Sequence, residues 1–154
     1  MKISLLSYEF VNNDVRHNIR VIINAIKEAS DKKIDMIIFG ESFLQGFDSL
    51  SWNYDKDQDK AVFLSSYELR CIRSIASRFQ VACAFGYFEN FKGRIFSSYL
   101  VVDKNGNVLS NYRRRSIGWK EYKICDLSIF SAMISSLSTP FIRLMTVVFS
   151  PTIV

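Results

Sequence analysis

Two short apolar runs, residues 3–8 and 34–39, constrain this chain more than any other feature. Neither alternates polar with apolar residues, which is the pattern of strands buried on both faces, as in parallel sheets covered by helices. Between them Ile19, Ile22, Ile23, Ile26 and Ala29 fall at helical spacing, with Arg16, Arg20, Lys27 and Asp31 on the opposite face. The polar cluster Asn12-Asn13-Asp14 stands before this stretch as a capping signal. A strand, a helix and a second strand follow from the pattern, and with them an α/β fold.

The pattern continues downstream. Residues 49–60 are polar and rich in Asp, and then Leu64, Leu69, Ile72, Ile75, Ala76 and Phe79 mark a second amphipathic helix ahead of an apolar run at 81–87. Residues 96–102 and 108–112 flank Asp103-Lys104-Asn105-Gly106-Asn107, and the Asn-Gly pair predicts a hairpin closed by a type I′ turn. The expected architecture is one sheet of strands near 3–8, 34–40, 81–87, 96–102 and 108–112. Helices near 14–30 and 64–79 are expected on one face of it.

Composition sets the class of partner. With 49% hydrophobic and 23% charged residues the chain is an ordinary globular protein, which excludes disorder as the main reading. A net charge of +5 attracts anions, but the basic residues are scattered among acidic ones. The one dense run, Arg113-Arg114-Arg115, reads by itself as a solvated strand end. Cys71, Cys83 and Cys125 are odd in number and lack CxxC spacing, so neither a disulfide framework nor a zinc site is expected, and a reducing, cytoplasmic setting is. The N-terminus has no signal-peptide pattern.

Beyond Lys123 the composition changes. Residues 127–142 carry no charge and many Ser and Thr, so 124–154 is expected to be an apolar tail unrelated to a domain at 1–123. Its uncharged run is shorter than the roughly 20 apolar residues of a spanning helix, which disfavours a membrane anchor.

Chemistry is expected where the second strand runs into Gly40-Glu41-Ser42, because the C-terminal edge of an α/β sheet is the usual place for ligands. Glu41 stands among Phe39, Phe43 and Leu44, where desolvation is expected to raise its pKa and fit it for general-base work. Taken alone, the same triplet is more often a loop glutamate capping the next turn. His17, on the polar side of the first helix, has no expected role.

Order and motifs together change that balance. The strand ending in Glu41-x-Phe43-x-x-Gly46-Phe47, the strand ending in Gly86-Tyr87-Phe88-Glu89 and the hairpin leading to Tyr112-Arg113-Arg114 make residues 1–123 resemble the nitrilase, or carbon–nitrogen hydrolase, superfamily. The resemblance implies half of an αββα sandwich, one mixed sheet with both helices on one face. It also implies a Glu, Lys and Cys mechanism that opens amide, nitrile or carbamoyl C–N bonds through a thioester. Glu41 matches the family's glutamate. The family's lysine lies in a Tyr-Arg-Lys-x-His-Leu pattern, where this chain has Arg114, so either Arg114 takes that part or Lys120 does, with Lys120 preferred because it keeps the compact ammonium.

The nucleophile is the larger departure. The family's cysteine follows its lysine by a few dozen residues, whereas Cys125 follows Lys120 almost at once and reads as a small apolar residue. Cys71 falls in the second helix and Cys83 inside a strand, where thiols are packed and inert. The expectation is the N-terminal half of a hydrolase for a small amide-like or nitrile substrate. A frameshift or early stop would account for the different tail, and the chain alone is expected to be inactive. It needs no cofactor or metal, and its bare sheet face favours homo-oligomers. The rival readings are a non-enzymatic binding or dimerisation module using the sheet and Arg113 to Arg115, and a partner for an intact homologue. No aromatic pattern of the RNA-recognition type accompanies the arginines, so nucleic acid is not expected.

Overall fold

The computed structural model describes residues 1–114 and 146–147. In chain order the elements are β1 (Lys2–Leu5), α1 (Val15–Asp31), β2 (Met36–Ile38), α2 (Tyr54–Asp57), α3 (Tyr67–Phe79), β3 (Ala82–Phe91), β4 (Arg94–Val102), β5 (Val108–Arg113) and β6 (Thr146–Val147). All strands belong to one sheet in the order β5-β4-β3-β2-β1-β6. Its β3-β2-β1-β6 part is parallel, and the β3-β4-β5 part is an antiparallel meander. This is the mixed sheet expected of an α/β fold.

Helix α1 begins where the polar cluster predicted, with the Asp14 carboxylate accepting from His17 N at 2.8 Å. Helix α3 is capped by the Ser66 hydroxyl, which accepts from Leu69 N at 3.4 Å. The two helices lie side by side, joined where Ser30 Oγ donates to the Phe79 carbonyl at 3.1 Å. Ile22, Ile26 and Ala29 of α1 and Leu69, Ile72 and Ala76 of α3 share one core with Ile37, Cys83, Phe85, Leu100 and Val102 of the sheet. Each large aliphatic or aromatic side chain in it contributes roughly 1.5–3 kcal/mol by leaving water. Both helices therefore cover one face, as the periodicity predicts.

Strand alternation then sorts the remaining residues. Cys83, Phe85, Tyr87 and Glu89 of β3 stand beside Val102, Leu100, Ser98 and Phe96 of β4 and share the helix-covered face. Ala84, Gly86 and Phe88 stand beside Val101, Tyr99 and Ser97 and look the other way.

Local details depart from expectation. The type I′ turn is not at Asn105-Gly106 but at Lys92-Gly93, between β3 and β4, where both residues have positive φ (52° and 73°). At the predicted turn only Gly106 is left-handed, at φ 81°. There the Asp103 carboxylate organises the loop instead, accepting from Asn105 N at 2.8 Å and Asn107 N at 2.7 Å. The Asp-rich stretch, for which the sequence suggested no element, holds a short helix. Asn53 caps α2, and buried Asp57 accepts from Ser51 N and Oγ and pairs with Lys60 Nζ at 3.1 Å. Of the expected tail, the backbone of Thr146 and Val147 runs parallel to Lys2 and Ile3.

Candidate active site

The loop after β2 is held against β3 by backbone bonds. Phe39 N donates to Ala84 O at 2.8 Å, Gly86 N to Gly40 O at 3.1 Å, and Leu44 N to Gly86 O at 3.1 Å. A Cβ on Gly86 would stand 2.3 Å from Ser42 N and 2.7 Å from Glu41 Cα, so only glycine lets the two backbones approach so closely. Ser42 sits at φ 55°, a left-handed conformation that the surrounding bonds must impose.

Three side chains fix the ends of this loop. The Tyr99 hydroxyl donates to the Phe39 carbonyl at 2.5 Å, and burial pushes its phenol up to about 12, so it remains a donor at neutral pH. Buried Gln45 donates to the carbonyls of Lys60 (3.1 Å) and Phe88 (3.0 Å) and accepts from Phe88 N (2.9 Å). Asn18 of α1, also buried, donates to Leu44 O at 3.1 Å. Helix, loop and strand thus agree on where the peptide of Glu41 lies.

Glu41 Oε1 accepts from Ser97 Oγ at 3.0 Å and from Arg114 Nη1 at 2.5 Å. Arg114 directly follows β5, and its own N–H donates to Ser97 O at 2.8 Å. One serine thereby meets both members of the ion pair. The enclosed carboxylate expected from the sequence is not what the described residues build, because 42% of the Glu41 side chain and 48% of the Arg114 side chain are exposed. The apolar neighbours Phe43 and Leu44 turn into the helix-side core instead of surrounding Glu41.

A second Ser, Glu, Arg group lies on the helix-covered face. Glu89, 1% exposed, accepts from Ser98 Oγ at 2.7 Å, Asn111 Nδ2 at 2.9 Å and Arg113 Nη2 at 2.8 Å. The Arg113 guanidinium also stacks 3.7 Å above the Phe91 ring centroid, and Asn111 accepts from the Tyr87 hydroxyl at 3.0 Å. Burial, with the Glu89 charge adding to it, pushes the Tyr87 phenol far up. The sequence reading missed this group, although adjacent arginines at a strand end must point to opposite faces.

Of the residues singled out from sequence, Glu41 and Arg114 are brought together, whereas Lys120 and Cys125 lie outside the described residues. Cys83 is buried on the helix side of β3, across the sheet from Glu41, and burial pushes its thiol up to about 12. Cys71 is half-buried on α3. Among the described residues there is no group of side chains able to hold a metal ion, and no helix is long and apolar enough to cross a membrane.

Comparison with known proteins adds a family and a fold. The carbon–nitrogen hydrolase family model matches residues 2–124. No curated protein matches the sequence. Among solved structures, a mutant of the amidase from Nesterenkonia sp. AN1 in complex with butyramide superposes with TM-score 0.62 at 18% identity, over 75% of this chain and 43% of that one. An N-terminal amidase gives TM-score 0.61 at 21% identity, over 75% of this chain and 29% of that one. The same type of enzyme with a Gln-Val peptide gives 0.61 at 22%, over 73% and 27%. The chain spans less than half the length of these structures, and at such identities the likeness speaks to the fold alone.

Proposed function

The chain belongs to the carbon–nitrogen hydrolase family, and from that premise we propose that Glu41 and Arg114 form the base and oxyanion-donor half of a site for small amide, nitrile or carbamoyl compounds. The observation that supports this most is the 2.5 Å pair between Arg114 Nη1 and Glu41 Oε1, Arg114 being the residue that the resemblance sets against the family's lysine. A general base and an oxyanion donor must share one reacting group, so they must lie together. Lys120 is the other candidate for the cationic role.

In the reaction that the family resemblance implies, a residue in the place of Glu41 takes the proton of a thiol, and the thiolate attacks the substrate carbon. On an amide or carbamoyl substrate, charge developing on the carbonyl oxygen is met by N–H donors of the guanidinium. With an amide or carbamoyl compound the C–N bond then breaks, the leaving nitrogen receives the proton held by Glu41, and a thioester remains; a nitrile gives a thioimidate, which takes up water before its nitrogen leaves as ammonia and the thioester remains. Water, deprotonated by Glu41, attacks the thioester, and the acid product and the thiol leave.

We assign this 154-residue chain recognition of such a compound without turnover, because neither described cysteine lies beside Glu41. Cys83 faces the other side of the sheet, Cys71 belongs to α3, and Cys125 follows Lys120 too closely for the family's spacing. Against the rival binding-module reading stands the pairing of Arg113 and Arg114 with one glutamate each on opposite faces, while Arg115, the third member of that patch, lies outside the described residues.

Butyramide, the compound bound by the Nesterenkonia amidase mutant, is the probe for the test. Titrating it against the labelled chain should shift the amide signals of residues 40–42, 86, 97 and 114, and Glu41→Ala should abolish those shifts. Absence of shifts, or shifts indifferent to Glu41→Ala, would overturn the assignment.

A further inference from the structure

We propose that Glu89 is a positioning residue for Arg114, acting through Arg113 from the far face of the sheet. The inference rests on the reading of Glu41 and Arg114 as one site and adds what fixes their geometry.

Among the described residues β5 is the edge of the sheet and is hydrogen-bonded only to β4. Among the described residues its ladder pairs Ser98 with Arg113 and ends there, and only the backbone bond from Arg114 N to Ser97 O continues it. An edge strand held by one neighbour frays at its end. An ion pair as exposed as Glu41 with Arg114 is too weak to impose a position on its own strand. Something else must hold the chain at Arg113.

The Glu89 group does so. Alternation sends Ser98 and Arg113 to the helix-covered face while their neighbours Ser97 and Arg114 go to the other. On the covered face Arg113 is fixed by the 2.8 Å bond to buried Glu89 and by stacking on Phe91, and Asn111 ties the same strand to the same carboxylate at 2.9 Å. A buried ionic cluster adds little net stability compared with apolar packing, but it permits one register and one rotamer. With Arg113 fixed, the next residue has one place to go, and Glu41 and Ser97 are waiting there. Each face of the sheet thus carries one Ser, one Glu and one Arg, and the buried set orients the open one.

Amide hydrogen exchange of the 154-residue chain, with folding followed by circular dichroism, tests the claim. In Glu89→Gln the Arg114 amide should exchange at least tenfold faster than in the wild type, while Phe85 in the β3-β4 ladder keeps its protection. Ser98→Ala, a milder change that decides the question if Glu89→Gln fails to fold, should accelerate Arg114 selectively by threefold or more, and Ser98→Thr should restore it. Unchanged Arg114 exchange in these variants, or an equal loss of protection at Arg114 and Phe85, would overturn the proposal and leave Glu89 as a plain core ion pair. Butyramide does not enter this readout, so a failure of the amide assignment leaves it standing or falling on its own.

Discussion

Gly86 and Glu41 are in backbone contact: a methyl group on Gly86 would stand 2.7 Å from Glu41 Cα and 2.8 Å from its carbonyl carbon. The approach places the candidate base on β3 without any side chain between. Gly86→Ala must therefore push the 40–42 loop outward or bend β3. Forced overpacking of this kind costs about 1–3 kcal/mol. Urea denaturation should show that loss, and the Ser97 and Arg114 amide signals should shift with it. A neutral substitution would mean that the loop is not seated on β3.

Adjacent arginines should behave unequally. Arg114→Ala removes an exposed pair and should change stability by less than about 1 kcal/mol. Arg113→Ala leaves the buried Glu89 carboxylate without its cation and should cost about 3 kcal/mol, the lower end for a broken buried pair because Arg113 keeps 24% exposure. Equal effects in denaturant titrations would contradict the two-faced arrangement.

Thiol labelling separates the cysteines. With its pKa pushed up to about 12, buried Cys83 stays protonated and sheltered at pH 8, whereas half-buried Cys71 is open to reagent. Mass mapping after brief treatment of the native chain should find Cys71 modified and Cys83 modified only after unfolding. Rapid native labelling of Cys83 would place it wrongly in the core.

Asp57 gives a pH dependence. Burial works against its charge, but the hydrogen bonds from Ser51 and Lys60 outweigh burial and hold it below the ordinary carboxylate value. A carboxyl with a folded pKa below its unfolded one stabilises the fold above the unfolded pKa. That stability is lost as pH falls through the folded pKa. Asp57→Asn should cost about 1–3 kcal/mol at pH 7, and the gap to wild type should narrow toward pH 3. A gap that does not change with pH would refute the role of the charge.

Much of this was legible in the sequence for a physical reason. Unbroken apolar runs and a 3.6-residue stripe are long-range averages, so β2, α1 and α3 emerged close to their real bounds. The hairpin of β4 and β5 is present, but its turn type and the Lys92-Gly93 turn were not legible because turns depend on single contacts. Asp103 organises its loop with its own carboxylate, and Lys92 accepts a left-handed conformation that its type does not advertise. At the site, the motif located Glu41 at the strand end. Its exposure was not legible, since Phe43 and Leu44 lie near it in sequence and turn away from it in space. The choice between Arg114 and Lys120 is not legible in the sequence either, because residue type and spacing do not say which cation meets Glu41, and Lys120 lies outside the described residues.

The most direct test of the central claim is ammonia release from small amides, nitriles and N-carbamoyl compounds by the purified 154-residue chain. A glutamate and a guanidinium can orient such a compound, but without a thiolate beside them the covalent intermediate does not form. The predicted result is a rate no greater than that of a Glu41→Ala control. Release well above that control, and its loss in Cys125→Ala, would contradict the account and make Cys125 the nucleophile.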